Sequence, residues 1–213
     1  MFETPAWKGS IEKGPEKGRG IDDYERFLAF KRNSLEGKVV LDLGAGPEAR
    51  FARDMKEAGI KADVISMSPD YADEKQRKFL QPSRKEKIKA FVGGRLPESP
   101  LVVAGIAEQL PFGDESFDEV LSLFAVTTYS LENYPRWLPE AIRVLKDGGT
   151  FRVGPFRKAK LDLQSPSDPE YQIREMDKIK AFVDNLGLES EFVLEPETGQ
   201  EVLILKKVQK EEN

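Results

Sequence analysis

Apolar positions along this chain fall into two alternating rhythms. Short apolar, β-branched runs alternate with longer stretches whose apolar residues recur at helical spacing. KVVLDL, from Lys38, runs into glycines and predicts a buried parallel strand. EARFARDMKEAG predicts a helix closed by Gly59. ADVISM predicts the second strand, LVVAGIA the third, SFDEVLSLFAV the fourth and TFRVGPF the fifth. Residues 70–90 are charged and helix-prone, with a break at Pro82. Residues 136–146 predict a helix stopped by the Gly148-Gly149 pair, and residues 170–186 another, followed by Gly187. ESEFVLEP and QEVLILKKV flank the turn residues Glu197, Thr198 and Gly199 and predict a closing antiparallel hairpin. Upstream, residues 21–34 predict a helix, with Tyr24, Phe27, Leu28 and Phe30 near helical spacing and Asp22 and Asp23 in its first turn. The stretch before it holds Pro5, Gly9, Gly14, Pro15, Gly18 and Gly20 and reads as loop.

Strands alternating with helices imply an α/β fold: a doubly wound, mostly parallel seven-stranded sheet, covered on both faces and closed by a C-terminal antiparallel hairpin. The crossovers should be right-handed. A ligand is expected beyond the carboxyl ends of the strands, at the switch point near the first strand. The 213 residues fit one such domain. Residues 1–36 are expected as an N-terminal extension with a lid helix. Residues 37–213 are the α/β domain, with a basic helical insertion at about 70–98.

Composition then narrows the chemistry. The chain has neither Cys nor His, which removes disulfides, zinc fingers, thiol nucleophiles and the Ser-His-Asp triad. Acid–base work would fall to Asp, Glu, Lys or Tyr, and no metal is expected. With 33 basic and 38 acidic residues the net charge is -5, which argues against a dedicated nucleic-acid binder. The start, MFETPAWKGS, lacks a signal pattern, and no apolar run approaches the ~20 residues of a membrane span. The expectation is a soluble, cytoplasmic protein.

The chemistry-bearing segment is VVLDLGAGPEAR. Gly44 and Gly46 lie between a strand and a helix, where small residues let the chain turn tightly and a ligand meet the backbone. The stretch from Gly44 to Ala49 also fits the dinucleotide G-x-G-x-x-G/A pattern. That reading wants an acid about 20 residues on, where Ser66 stands, and leaves Asp42 and the later segments unexplained.

With those later segments included, the chain resembles a class I S-adenosylmethionine-dependent methyltransferase, with a methyltransferase type 11-like domain. The resemblance runs from about residue 38 to 208. It rests on Asp42-Leu43-Gly44-Ala45-Gly46, on VISMSPD, on GIAEQLPFGDESFDEVLS, on EAIRVLKDGGTFRVG and on the terminal hairpin, in order. It implies a Rossmann-like fold, S-adenosyl-L-methionine as cofactor and S-adenosyl-L-homocysteine as product. It places Asp42 at the cofactor's methionine end and Gly44, Ala45 and Gly46 along its methionine and ribose. Ser66 falls at the ribose, Ile106 and Ala107 at the adenine, Leu123 and Phe124 toward the reacting centre, and Met67 and Glu108 are further cofactor-binding candidates beside them. Tyr24 is a further candidate, reaching the cofactor's carboxylate from the N-terminal segment.

Three residues depart from the family. Ser66 stands where relatives carry a ribose-binding acid, Glu48 where many have a third glycine, and Ile106 where an acid often binds the adenine amino group. An alternative therefore stays open: a cofactor-impaired, non-catalytic, partner-binding member of the fold. Methyl transfer from a sulfonium needs alignment more than protein acid–base chemistry. Tyr129 and Glu132 are the candidate catalytic groups, beside Thr127 and Thr128 after the fourth strand. No separate substrate domain is visible, which favours a small-molecule acceptor. The Lys- and Arg-rich stretch 75–95 offers nucleic acid or an anionic surface as a second kind of partner.

Overall fold

A computed structural model of the chain describes residues 18–81, 99–129, 133–157, 169–186, 188–196 and 199–208. The strands are β1 (Val39–Leu43), β2 (Asp63–Met67), β3 (Leu101–Val103), β4 (Phe117–Leu123), β5 (Leu145–Arg157), β6 (Glu189–Leu194) and β7 (Gln200–Lys206). They form one sheet in the order β3-β2-β1-β4-β5-β7-β6. β1 to β5 pair in parallel, and β7 runs antiparallel between β5 and β6. This is the expected doubly wound sheet with its reversed C-terminal hairpin. The order reverses between β1 and β4, which opens a crevice at the carboxyl ends of those strands.

The helices are α1 (Ile21–Phe27), α2 (Arg50–Glu57), α3 (Glu74–Arg77), α4 (Val126–Tyr129), α5 (Tyr134–Val144) and α6 (Pro169–Asn185). Strand alternation divides the core into two layers. On one face, Leu41, Leu43, Met67, Val120, Phe151, Val153 and Leu203 pack under Trp137 and Leu138 of α5 and Ile179 and Val183 of α6. On the other, Val40, Leu121, Leu123 and Val202 pack under Ile21 and Tyr24 of α1 and Phe51 and Met55 of α2. The helix expected as a lid thus packs on the sheet.

Several boundaries differ from the sequence reading. The first helix ends at Phe27, not near Ser34, because Ala29 is left-handed (φ 51°). Arg152 holds that turn from β5, donating to the Leu28 and Ala29 carbonyls at 3.3 and 3.0 Å. The chain resumes as a short 3₁₀ turn, Arg32–Leu35. α5 ends at Val144, before the glycine pair, and Gly148-Gly149 belongs to β5. Gly148 N–H donates to Lys207 and Lys207 N–H to Gly149, so the pair joins β5 to the segment after β7. Of the insertion expected at 70–98, the described part is a 3₁₀ turn (Pro69–Ala72), the single turn α3 and a second 3₁₀ turn (Lys78–Leu80). Residues 82–98 lie outside the described residues.

Candidate functional site

β1 delivers the chain to the crevice as Asp42-Leu43-Gly44. Gly44 and Gly46 are left-handed, with φ 86° and 70°, the region in which glycine carries no steric penalty. Gly44 also has no space for a side chain: a Cβ there would stand 2.1 Å from that of Ala125. The Gly44 and Ala45 amides both donate to the Met67 carbonyl, at 2.8 and 3.0 Å, so the turn is stitched to the end of β2. Ala49 is left-handed too (φ 47°) and starts α2 without a side-chain cap.

Beside this turn lies an open cleft lined by Leu43, Gly44, Met67 and Pro69, by Gly105 to Glu108, and by Ala125 and Val126. Its lining is almost wholly apolar. The wall at 105–108 is held from behind by α5. Glu140 accepts the Leu110 N–H at 2.8 Å, and Arg143 donates to the Leu110 and Phe112 carbonyls at 3.1 and 2.9 Å. The Arg143 hydrogen bonds keep the Glu140 carboxyl below its usual range, so this pair stays charged.

The unusual electrostatic feature sits one residue before the cleft-lining Leu43. Asp42 is fully buried and faces Ser66 and Leu121 in the sheet register. Its Oδ1 accepts from the Tyr24 hydroxyl at 2.6 Å. Its Oδ2 has no hydrogen-bond partner among the described residues. Burial pushes the carboxyl up to about 7, against the opposing pull of the Tyr24 bond. Tyr24 is pushed well up by its own burial and then by Asp42, so it stays the donor. The neighbouring Ser66 hydroxyl is also fully buried and without a partner among the described residues.

The expected site residues divide into groups. Gly44, Met67, Ile106, Ala107 and Glu108 line the cleft. Asp42, Ala45 and Ser66 are buried next to it in β1, the glycine turn and β2. Tyr24 does not stand open to a cofactor carboxylate; it is buried on Asp42, and its hydroxyl is committed there. Leu123 packs in the core under α1, not in the cleft wall. Phe124 turns away through a left-handed backbone (φ 60°) to stack edge-on with Phe27 beneath the Arg19 guanidinium. That turn brings Ala125 and Val126 to the cleft instead. Neither nearby acid replaces the carboxylate that Ser66 lacks. Asp63 begins β2 opposite Val39, at the far end of the strand. Asp70 is exposed, with its N–H and carboxylate tied to the Ser68 hydroxyl at 3.3 Å. Of the catalytic candidates, Tyr129 ends α4, and Glu132 lies outside the described residues. Sequence reasoning does not single out Leu43, Pro69, Gly105, Ala125 or Val126. A signal exists for Gly105, a glycine soon after a strand: a Cβ there would lie 2.9 Å from the Met67 sulfur.

No cluster of potential metal ligands occurs among the described residues. No described helix is long and apolar enough to cross a membrane.

The chain is similar to known proteins. A demethylmenaquinone methyltransferase of Chlorobaculum parvum is 30% identical over 135 residues, 61% of this chain and 48% of the relative. A norajmaline N-methyltransferase of Rauvolfia serpentina is 26% identical over 171 residues, 80% of this chain and 53% of the relative. The chain thus spans about half the length of these curated relatives. Among solved structures, a SAM-dependent methyltransferase from Aquifex aeolicus superposes with a TM-score of 0.52 at 20% identity, covering 80% of this chain and 81% of that one. One from Methanosarcina mazei gives 0.53 at 18% identity, covering 82% and 94%. At such identities the likeness is one of fold. The sequence profile of the methyltransferase domain matches residues 41–153, from β1 through the glycine turn and cleft walls into β5. With more than half of its length on that profile, the chain belongs to the methyltransferase domain family.

Proposed function

We propose that this chain transfers a methyl group from S-adenosyl-L-methionine to a small-molecule acceptor. The observation that carries the reading is the buried Asp42, one carboxylate oxygen of which has no partner among the described residues, set just before a glycine turn that borders an apolar cleft. The residues fit the cofactor by chemical type. Met67, Ile106 and Ala107 offer apolar walls to a flat ring. Asp42 offers the negative charge an ammonium seeks. Gly44 lets the ligand approach the backbone.

When bound, the cofactor supplies an electrophilic methyl group on a sulfonium. The protein's part is then alignment and exclusion of water. Ala125 and Val126 close the cleft on the β4 side. Thr127, next in the chain, has a buried hydroxyl without a partner among the described residues, which makes it a candidate for orienting an acceptor. The relatives named for a quinone precursor and an alkaloid support the small-molecule class.

A second reading is a cofactor-impaired, partner-binding member of the family. It is favoured by Ser66, which supplies no carboxylate, with Asp63 at the far end of the strand. Calorimetric titration with S-adenosylmethionine and S-adenosylhomocysteine separates the two. Micromolar binding is expected. No heat and no thermal shift at millimolar cofactor would decide for the second reading.

A further inference from the structure

We propose that Tyr71 is a positioning residue, holding the glycine turn in its ligand-receiving shape through the hydrogen bond from its hydroxyl to the Gly46 carbonyl. Tyr71 lies in the 3₁₀ turn that follows β2, and its hydroxyl reaches that carbonyl at 2.6 Å. The ring is buried, 2% exposed, and packs with Ala49 and Leu80. One side chain therefore grips the turn twice, at Gly46 and at Ala49.

The turn needs such a grip. Gly44, Gly46 and Ala49 are all left-handed within six residues, and α2 begins without a side-chain cap. A left-handed alanine is unfavourable by about 1 kcal/mol or more and persists only where its surroundings impose it. The bonds to Met67 fix only the first two residues of the turn. Further along, the Gly46 carbonyl accepts the Ala49 N–H at 3.5 Å and the shorter bond from Tyr71, which is itself held firmly. The Ser68 hydroxyl caps its turn, and the Arg77 guanidinium donates to the Tyr71 and Ala72 carbonyls at 2.9 and 3.3 Å. Burial, with Asp42 and Asp70 nearby, raises the phenol's pKa, so it remains a donor across the accessible pH range. Pro69 of the same turn lines the cleft. Tyr71 thus ties the glycine turn to the segment that brings Pro69 to the cleft.

The inference rests on the proposal that the cleft takes the cofactor. The apolar walls suit the adenine ring, which leaves the amino-acid end for the glycine turn and Asp42. Tyr71→Phe keeps the ring and removes the donor. Titration with S-adenosylhomocysteine should show a Kd raised about five- to tenfold. Titration with 5′-methylthioadenosine, which lacks the amino-acid end, should stay within twofold of wild type. Tyr71→Met, which removes the hydroxyl and leaves a smaller, flexible apolar side chain against Ala49 and Leu80, should show the same split, and it serves if the first variant folds poorly. An unchanged Kd for S-adenosylhomocysteine, or equal losses for both ligands, would overturn the assignment, since a purely structural role weakens both alike. A wild-type chain that binds neither ligand overturns the cofactor reading itself, and the positioning role with it.

Discussion

Asp42→Asn tests whether the chain keeps a carboxylate at the expense of its own stability. Asp42 is fully buried, and among the described residues its carboxylate has a single hydrogen bond, from Tyr24. Burial lifts its carboxyl from an ordinary 3.8 to about 7. The native state therefore holds a proton that the unfolded chain releases near pH 4. Stability falls as pH rises between those two values and levels off above the upper one. A lift of that size corresponds to about 4 kcal/mol at full ionisation, a large part of the 5–15 kcal/mol typical of a domain. Asparagine has nearly the same shape, still accepts the Tyr24 bond at Oδ1, and does not titrate.

The comparison is urea unfolding of wild type and Asp42→Asn at pH 5 and pH 8.5. The stability difference should shift in the variant's favour by about 3 kcal/mol between the two conditions. Contributions from other titrating groups cancel in the difference. A gap that stays constant with pH would refute the argument, because it would mean that Asp42 is solvated or paired in the native state. The same variant should bind S-adenosylhomocysteine at least tenfold more weakly, since a charged hydrogen bond is worth about 1.5–3 kcal/mol. A gain in stability and a loss of binding are thus expected from one substitution.

The same geometry carries three further expectations. Gly44→Ala should cost about 2–4 kcal/mol and abolish cofactor binding, since its Cβ would meet Ala125 at 2.1 Å on a left-handed backbone; pairing it with Ala125→Gly should recover part of the stability in thermal unfolding but not all, because the strain remains. Tyr24→Phe removes the hydrogen bond to Asp42 and should destabilise by about 1–3 kcal/mol, more at pH 8.5 than at pH 5 because the lost bond favours the ionised carboxylate; equal losses at both pH values would contradict this. Ser66→Asp sets a second buried carboxylate opposite Asp42 in the register and should lower the stability of the ligand-free protein above pH 7 while tightening S-adenosylhomocysteine binding about tenfold by calorimetry; unchanged affinity would show that position 66 does not reach the cofactor.

Where the physics is local, the sequence can be read. β1 is apolar on both faces because both faces are covered, so VVLDL stands out as a buried parallel strand. The hairpin is legible from its alternation and turn residues. What escapes depends on partners far along the chain. The first helix ends at Phe27, with Ala29 left-handed beyond it, where Arg152, more than 120 residues on, takes up the carbonyls of that turn. Tyr24 looks free to meet a ligand because nothing in its neighbourhood reveals Asp42, 18 residues away, as its partner. Tyr71 gives no signal at all: a tyrosine after a strand acquires its role only when the fold brings Gly46 to its hydroxyl. Ala125 and Val126 read as core residues, and they reach the cleft only because Phe124 bends backward. Asp42 is the position where the two views reinforce each other. An asparagine there would satisfy Tyr24 without the burden of a buried charge, so packing and hydrogen bonding alone do not account for the acid. Its place directly before a turn that cannot accept a Cβ is better explained by a cationic ligand that needs both features than by either feature separately.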